Sequence, residues 1–133
     1  MAKILFNEAT KEFHLQNDRI SYIFCIMENG QLGHQYFGKH LTHRDSFQHF
    51  IQMRTQSHTA YVYENDFLFT LDTIRQEYPS YGTTDFREPA YQIKQENGSR
   101  ITEFVYKNHE IYKGKKKLEG LPASFGTEEE VET

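Results

Sequence analysis

Ile20-Ser21-Tyr22-Ile23-Phe24-Cys25-Ile26-Met27, then Glu28-Asn29-Gly30-Gln31, then Leu32-Gly33-His34-Gln35-Tyr36-Phe37, is the run that decides the fold. Its first part is rich in β-branched and aromatic residues and long enough for a central strand. Asn-Gly can adopt the two positive φ values of a type I′ hairpin turn, which makes 32–37 the returning strand. The same device recurs where Tyr91-Gln92-Ile93-Lys94-Gln95 reaches Asn97-Gly98 and Arg100-Ile101-Thr102-Glu103-Phe104-Val105-Tyr106 goes back. Working outward, Ile4-Leu5-Phe6 is a short apolar run and Glu12-Phe13-His14-Leu15 alternates polar with apolar. Further strands are expected at 60–63, 67–71 and 110–112. The chain therefore reads as mainly β and antiparallel.

One stretch breaks the strand pattern. In 42–52, Phe47, Phe50 and Ile51 fall at i, i+3 and i+4, and Thr42 and Asp45 have N-cap and first-turn character. It is either one short helix or an irregular loop. The segment Tyr78-Pro79-Ser80-Tyr81-Gly82-Thr83-Thr84-Asp85-Phe86-Arg87-Glu88-Pro89, with its two prolines and three aromatic rings, reads as a structured loop. From Gly114 the chain is polar with charges in blocks, and residues 123–133 are expected to fray as an acidic tail behind a folded segment of 1–122.

A length of 133 residues suits one domain. Aromatic residues make up 15% of the chain, as eleven Phe and nine Tyr without a Trp, which is more than a disordered chain carries. A net charge of −4 argues against nucleic-acid binding driven by phosphate neutralisation. The single cysteine, Cys25, has no internal partner, which fits a reducing compartment. No apolar run reaches a membrane span, and charge arrives too early in Met1-Ala2-Lys3-Ile4-Leu5-Phe6-Asn7-Glu8 for a signal peptide. A cytoplasmic protein without membrane or nucleic-acid partners is the expectation.

Candidate chemistry is sparse. His40, His43 and His49 form the one histidine cluster, but no cysteine lies nearby and no HExxH occurs, so no metal is expected. Cys25 sits mid-strand and reads as a buried inert thiol. Asn97-Gly98-Ser99 matches a glycosylation sequon, yet turn chemistry explains it. Lys113-Gly114-Lys115-Lys116-Lys117 reads as a solvated strand end. The aspartates Asp18, Asp45, Asp66, Asp72 and Asp85 are scattered over different elements, so no acid pair for glycoside hydrolysis is visible. Asp85 and Arg87 read as an internal loop clamp. Tyr78, Tyr81 and Phe86 either form a sugar-stacking platform or pin the loop to the sheet.

The stretch Tyr78-Pro79-Ser80-Tyr81-Gly82-Thr83-Thr84-Asp85-Phe86-Arg87-Glu88-Pro89-Ala90 resembles family 36 α-galactosidases. Gln95-Glu96-Asn97-Gly98-Ser99-Arg100-Ile101-Thr102, Tyr112-Lys113-Gly114-Lys115 and Leu118-Glu119-Gly120-Leu121-Pro122 continue the likeness in register. Glu28-Asn29-Gly30-Gln31-Leu32-Gly33-His34 and Tyr36-Phe37-Gly38-Lys39 carry it upstream. The resemblance implies an antiparallel β-sandwich, part of a supersandwich, at the N-terminus of a bacterial, cytoplasmic, retaining enzyme acting on melibiose and raffinose-type sugars. Such enzymes are several times longer, with a (β/α)8 barrel and a C-terminal β-domain. Their nucleophile lies in a Lys-Trp-Asp motif in the barrel, and a chain without Trp lacks it.

The resemblance thus implies a chain with no catalytic residue and no cofactor, whose partners are the rest of the parent enzyme and further copies of itself. Half a sandwich would expose sheet edges and an apolar face, which self-association or strand exchange between copies would cover. By analogy with tetrameric relatives, the loops 41–57 and 78–88 are candidate rim elements of an active-site entrance, with Tyr78, Tyr81, Asp85, Phe86 and Arg87 as substrate-rim candidates. The competing readings are a free-standing carbohydrate-binding module, weakened by the missing Trp, and a purely structural oligomerisation domain.

Overall fold

The computed structural model describes residues 2–55, 58–127, 129 and 131–133. Gln56 and Ser57 of the expected 41–57 rim loop, and Glu128 and Glu130 of the acidic tail, lie outside the described residues. Four strands, β1 (Lys3–Asn7), β2 (Glu12–Gln16), β3 (Ile20–Ile26) and β4 (Leu32–Lys39), form one antiparallel sheet in the order β1-β2-β3-β4. The sole helical element among the described residues is a 3₁₀ turn at Gln48–Phe50. The architecture is mainly β, the single antiparallel layer from which a sandwich is built.

The β3–β4 hairpin forms where the sequence places it, through a different turn. Met27 N–H donates to Gln31 O at 2.8 Å, Gly30 N–H donates to Met27 O at 2.9 Å, and Gly30 has φ +81° while Asn29 does not enter the left-handed region. This is a three-residue loop closed by a glycine bulge, not a type I′ turn, because Glu28 joins Asn-Gly inside it. The second Asn-Gly repeats the geometry: Gln95 N–H donates to Ser99 O at 2.9 Å, with Gly98 at φ +84°. There the hairpin closes at the turn without a strand ladder. Ile93, Ile101, Phe104 and Val105 are all exposed, and a two-stranded ribbon without a third strand or a covering face is marginal.

The strands expected at 60–63, 67–71 and 110–112 are likewise absent as ladders. At 67–71 the reason is local. Asp66 Oδ1 accepts the Leu68 and Phe69 N–H groups at 2.9 and 3.1 Å, which takes the donors a strand would give its neighbour. The resulting coil still supplies the core, where Phe69, Leu71 and Ile74 bury against Cys25 and Met27. Beyond it, 75–77 adds a short rung to β4, with Glu77 N–H to Leu32 O at 2.9 Å and His34 N–H to Arg75 O at 2.8 Å. Val131 and Thr133 pair with Gly114 and Tyr112 at 2.9 Å.

The two faces of the sheet are unequal. Cross-strand register puts Glu12, His14, Ser21, Ile23 and Cys25 on one face, all of them buried. The opposite face carries Ile4, Phe6, Phe13, Leu15, Ile20, Tyr22, Phe24 and Phe37. A strap running from His40 to Phe50, with Phe69, Leu71 and Ile74 beside it, covers the first face, and the apolar face is covered at one end. There His109 packs edge-on against Phe6 and Phe13, with ring centroids 4.4 and 4.7 Å apart. At the other end Ile20 is 43% and Phe37 66% exposed, beside an open apolar cleft of ≈ 260 Å³.

Candidate functional site

The loop that carries the rim candidates is built around a tight turn. Gly82 N–H donates to Asp85 O at 2.7 Å and Asp85 N–H returns to Gly82 O at 3.1 Å, with Thr83 and Thr84 between them at φ +50° and +78°. Two left-handed central residues make this the type I′ geometry that the sequence offered to Asn-Gly. Here it is occupied by β-branched residues, for which left-handed backbone is strained.

The turn drives Asp85 inward. Its carboxylate, 1% exposed, receives Arg87 Nε at 2.9 Å and Arg87 Nη2 at 2.8 Å, a bidentate pair. Gln76 Nε2 adds a third bond at 2.7 Å and the Arg87 backbone N–H a fourth at 3.1 Å. Arg87 also reaches the Ile74 carbonyl at 2.9 Å and that of Asp72 at 3.3 Å, tying the loop to the core segment 72–76. The hydrogen bonds to Asp85 raise the Arg87 pKa further above its ordinary value, so the guanidinium is permanently charged. An Asp whose oxygens receive four donors, two of them from a guanidinium, is a clamp whose acceptor sites are already engaged.

The three rings divide into two groups. Tyr78 stacks on Tyr91 at 5.0 Å, with Phe104 at 6.2 Å, and so fastens the start of the loop to the second Asn-Gly segment. Tyr81 and Phe86 meet edge to face at 5.8 Å and are 41% and 64% exposed. They border an open cleft of ≈ 310 Å³ together with Arg87, Glu88, Gln92 and Arg100. The loop therefore sets the Tyr81 and Phe86 rings and the Arg87 guanidinium at this cleft on a clamped base, with Arg100 of the second Asn-Gly segment on its wall. Tyr78 belongs to the anchor, and Asp85 to the interior.

Elsewhere the candidates resolve into structure. Cys25 is 2% exposed, and burial, with the Glu12 charge next, pushes its thiol up to about 12. His43 faces His14 at 3.1 Å between Nδ1 atoms, and His14 Nε2 lies 2.9 Å from Ser21 Oγ. This Ser–His contact has the spacing of a nucleophile and base, but Ser21 is fully buried and its oxygen accepts the Leu41 N–H at 2.9 Å. Among the described residues no three His, Cys, Asp or Glu side chains come together in an arrangement that could hold a metal. Lys116 lies over the Tyr112 ring at 4.3 Å, an exposed contact. Sequence reasoning missed Glu77, which accepts from Tyr22 and pairs with His34 at 2.7 Å, because its partners lie 43 and 55 residues away.

The chain as a whole is similar to known proteins. The glycosyl hydrolase family 36 N-terminal domain matches residues 30–133. α-Galactosidase AgaA of Geobacillus stearothermophilus is 43% identical over 98% of this chain, and the chain spans 18% of its length. α-Galactosidase 1 of Pediococcus pentosaceus is 34% identical over the whole chain, again across 18% of its own length. The crystal structure of an α-galactosidase from Lactobacillus brevis superposes with a TM-score of 0.83 at 41% identity, covering 91% of this chain and 16% of that one. AgaA variants have been solved in complex with raffinose and with stachyose. The chain spans less than a fifth of the curated relatives it matches. It belongs to glycosyl hydrolase family 36, within the N-terminal domain of that family.

Proposed function

We propose that this chain is the non-catalytic N-terminal β-sandwich region, over 1–122, of a retaining α-galactosidase hydrolysing terminal α-galactosides such as melibiose and raffinose. Residues 123–133 form its acidic tail. It serves assembly and access to the active site, and its partners are the rest of the parent enzyme and further copies of the chain in the cytoplasm. The observation that carries this reading is the uneven cover of the sheet: the face with Glu12, His14, Ile23 and Cys25 is buried under the strap and the core residues Phe69, Leu71 and Ile74, whereas Ile20 and Phe37 on the other face stand open. A face of that kind supports a second layer supplied from outside these residues. The exposed Tyr81 and Phe86, beside Arg87 on its clamp, support a rim that meets sugar by ring stacking and hydrogen bonding.

The alternative is a free-standing carbohydrate-binding module using Tyr81 and Phe86. Titration of the chain with melibiose or raffinose separates the two, because a scaffold shows no saturable binding and a module does. Hydrolysis of an aryl α-galactoside by the purified chain would overturn the placement of the catalytic groups elsewhere.

A further inference from the structure

The strap over the polar face is fastened at two ends by different chemistry. At its start, Leu41 N–H donates to Ser21 Oγ at 2.9 Å, and His43 Nδ1 stands 3.1 Å from His14 Nδ1, whose Nε2 meets the same Ser21 Oγ. At its far end, Phe47 N–H donates to both Glu12 oxygens at 2.9 and 3.1 Å. Glu12 is 3% exposed and also accepts from Gln35 Nε2 at 2.6 Å and Thr10 Oγ1 at 2.7 Å. Between the ends, Asn7 Nδ2 donates to Asp45 O at 2.6 Å. The Glu12 end is hydrogen-bonded without a histidine, although the Phe47 ring packs against His14 at 5.3 Å and His43 at 6.2 Å. The His14 end depends on its two histidines, because two facing Nδ1 atoms bond only when one carries hydrogen and the other a lone pair. Such a pair accepts no positive charge or one, and not two.

We propose that His14 and His43 form an acid-released latch, which holds the start of the strap on the sheet and lets it lift once both rings are charged, while the Glu12–Phe47 end stays attached. The groups around His14 set the direction. The strap brings His43 and His40 to it, with Arg44 next in sequence to His43. β3 presents the uncharged Ser21 and Ile23, and β1 presents Leu5, with Lys3 at the exposed end of the same face. On β2 itself Glu12 shares the face, but its oxygens are taken by Phe47, Gln35 and Thr10. Asp45, two residues beyond His43 on the strap, adds a second carboxylate, but the charges that act on His14 are those of His43 and His40. In keeping with this, burial, and after it His43 and His40, lower the His14 pKa from 6.5 to about 4.

The sign follows from linkage. A histidine whose folded pKa is depressed stabilises the closed state fully above its ordinary value of 6.5, and that contribution is lost as pH falls towards 4. The cavity of ≈ 410 Å³ lined by His40, Thr42, Arg44, His49 and Phe50 belongs to the same strap and opens with it.

Amide exchange in the 133-residue chain, followed by NMR as protection factors from about pH 7 to about pH 4, tests the latch. The Leu41 amide is expected to lose about tenfold or more protection beyond whatever loss the β3 amides and the Phe47 amide share across that range. In His43→Gln, whose side-chain amide can donate to or accept from His14 without charge, Leu41 is expected to stay protected at the acid end. Leu41 protection that stays flat, that falls together with β3 and Phe47, or that falls equally in His43→Gln would overturn the proposal.

Discussion

Replacing Thr83 by Asn and Thr84 by Gly probes the turn that shapes the candidate rim. Both threonines occupy left-handed backbone, at φ +50° and +78°, a conformation that costs L-residues roughly 1–2 kcal/mol each. Asn-Gly is the pair the type I′ turn prefers, so the gross relief is about 2–4 kcal/mol. Thr84 Oγ1 is buried without a hydrogen-bond partner, and removing it adds about 1 kcal/mol. Against these stands the extra chain entropy of the new glycine, about 0.5–1 kcal/mol, with the lost methyl contacts. The net expectation is a gain of about 2 kcal/mol. Urea unfolding of the double variant beside the parent, compared at equal slope, reads this as a higher midpoint. An unchanged or lower midpoint at unchanged slope would refute a left-handed Thr83-Thr84 tip, and with it the geometry that turns Asp85 inward.

Other outcomes follow from the same contacts. Asp85→Ala is expected to cost roughly 2–3 kcal/mol in urea unfolding, below the full penalty of breaking a buried pair because the Arg87 side chain is 42% exposed. Asp85→Asn, which keeps an oxygen for Gln76 or Arg87, is expected to lose less. Cys25, buried and with its thiol at about 12, is expected to react with a thiol reagent only as fast as the chain opens, and a burst of labelling under native conditions would contradict its burial. Because His14 falls from 6.5 to about 4 on folding, the chain is expected to lose up to about 3 kcal/mol of stability between those pH values. That part of the loss should be missing from His14→Gln, and identical pH profiles would count against it.

The residues that were legible in the sequence are those whose partners are near or whose pattern is periodic. β3 and β4 alternate around an Asn-Gly turn, so their pairing was readable, although the bulge at Gly30 depends on one residue more than the expected turn. Asp85 and Arg87, two residues apart, were readable as a clamp, whereas Gln76 and the carbonyls of Asp72 and Ile74 that complete it were not. The strands expected at 60–63 and 67–71 failed because apolar content specifies burial, which Phe69 and Leu71 do achieve, without specifying a ladder. The buried polar face was invisible from the sequence, since Glu12 meets Phe47 across 35 residues and His14 meets His43 across 29. Thr83-Thr84 was hidden for the opposite reason: β-branched residues argue against the very turn they form.

The proposed role as part of a larger assembly requires that the open apolar face around Ile20, Tyr22 and Phe37 be covered. Sedimentation of the chain at tens of micromolar, beside Phe37→Lys, tests it most directly. Phe37 is 66% exposed, so the lysine is accommodated without disturbing the sheet. Self-association of the parent chain that weakens in Phe37→Lys is the expected result. A strictly monomeric parent chain, or association that the lysine leaves untouched, would contradict it.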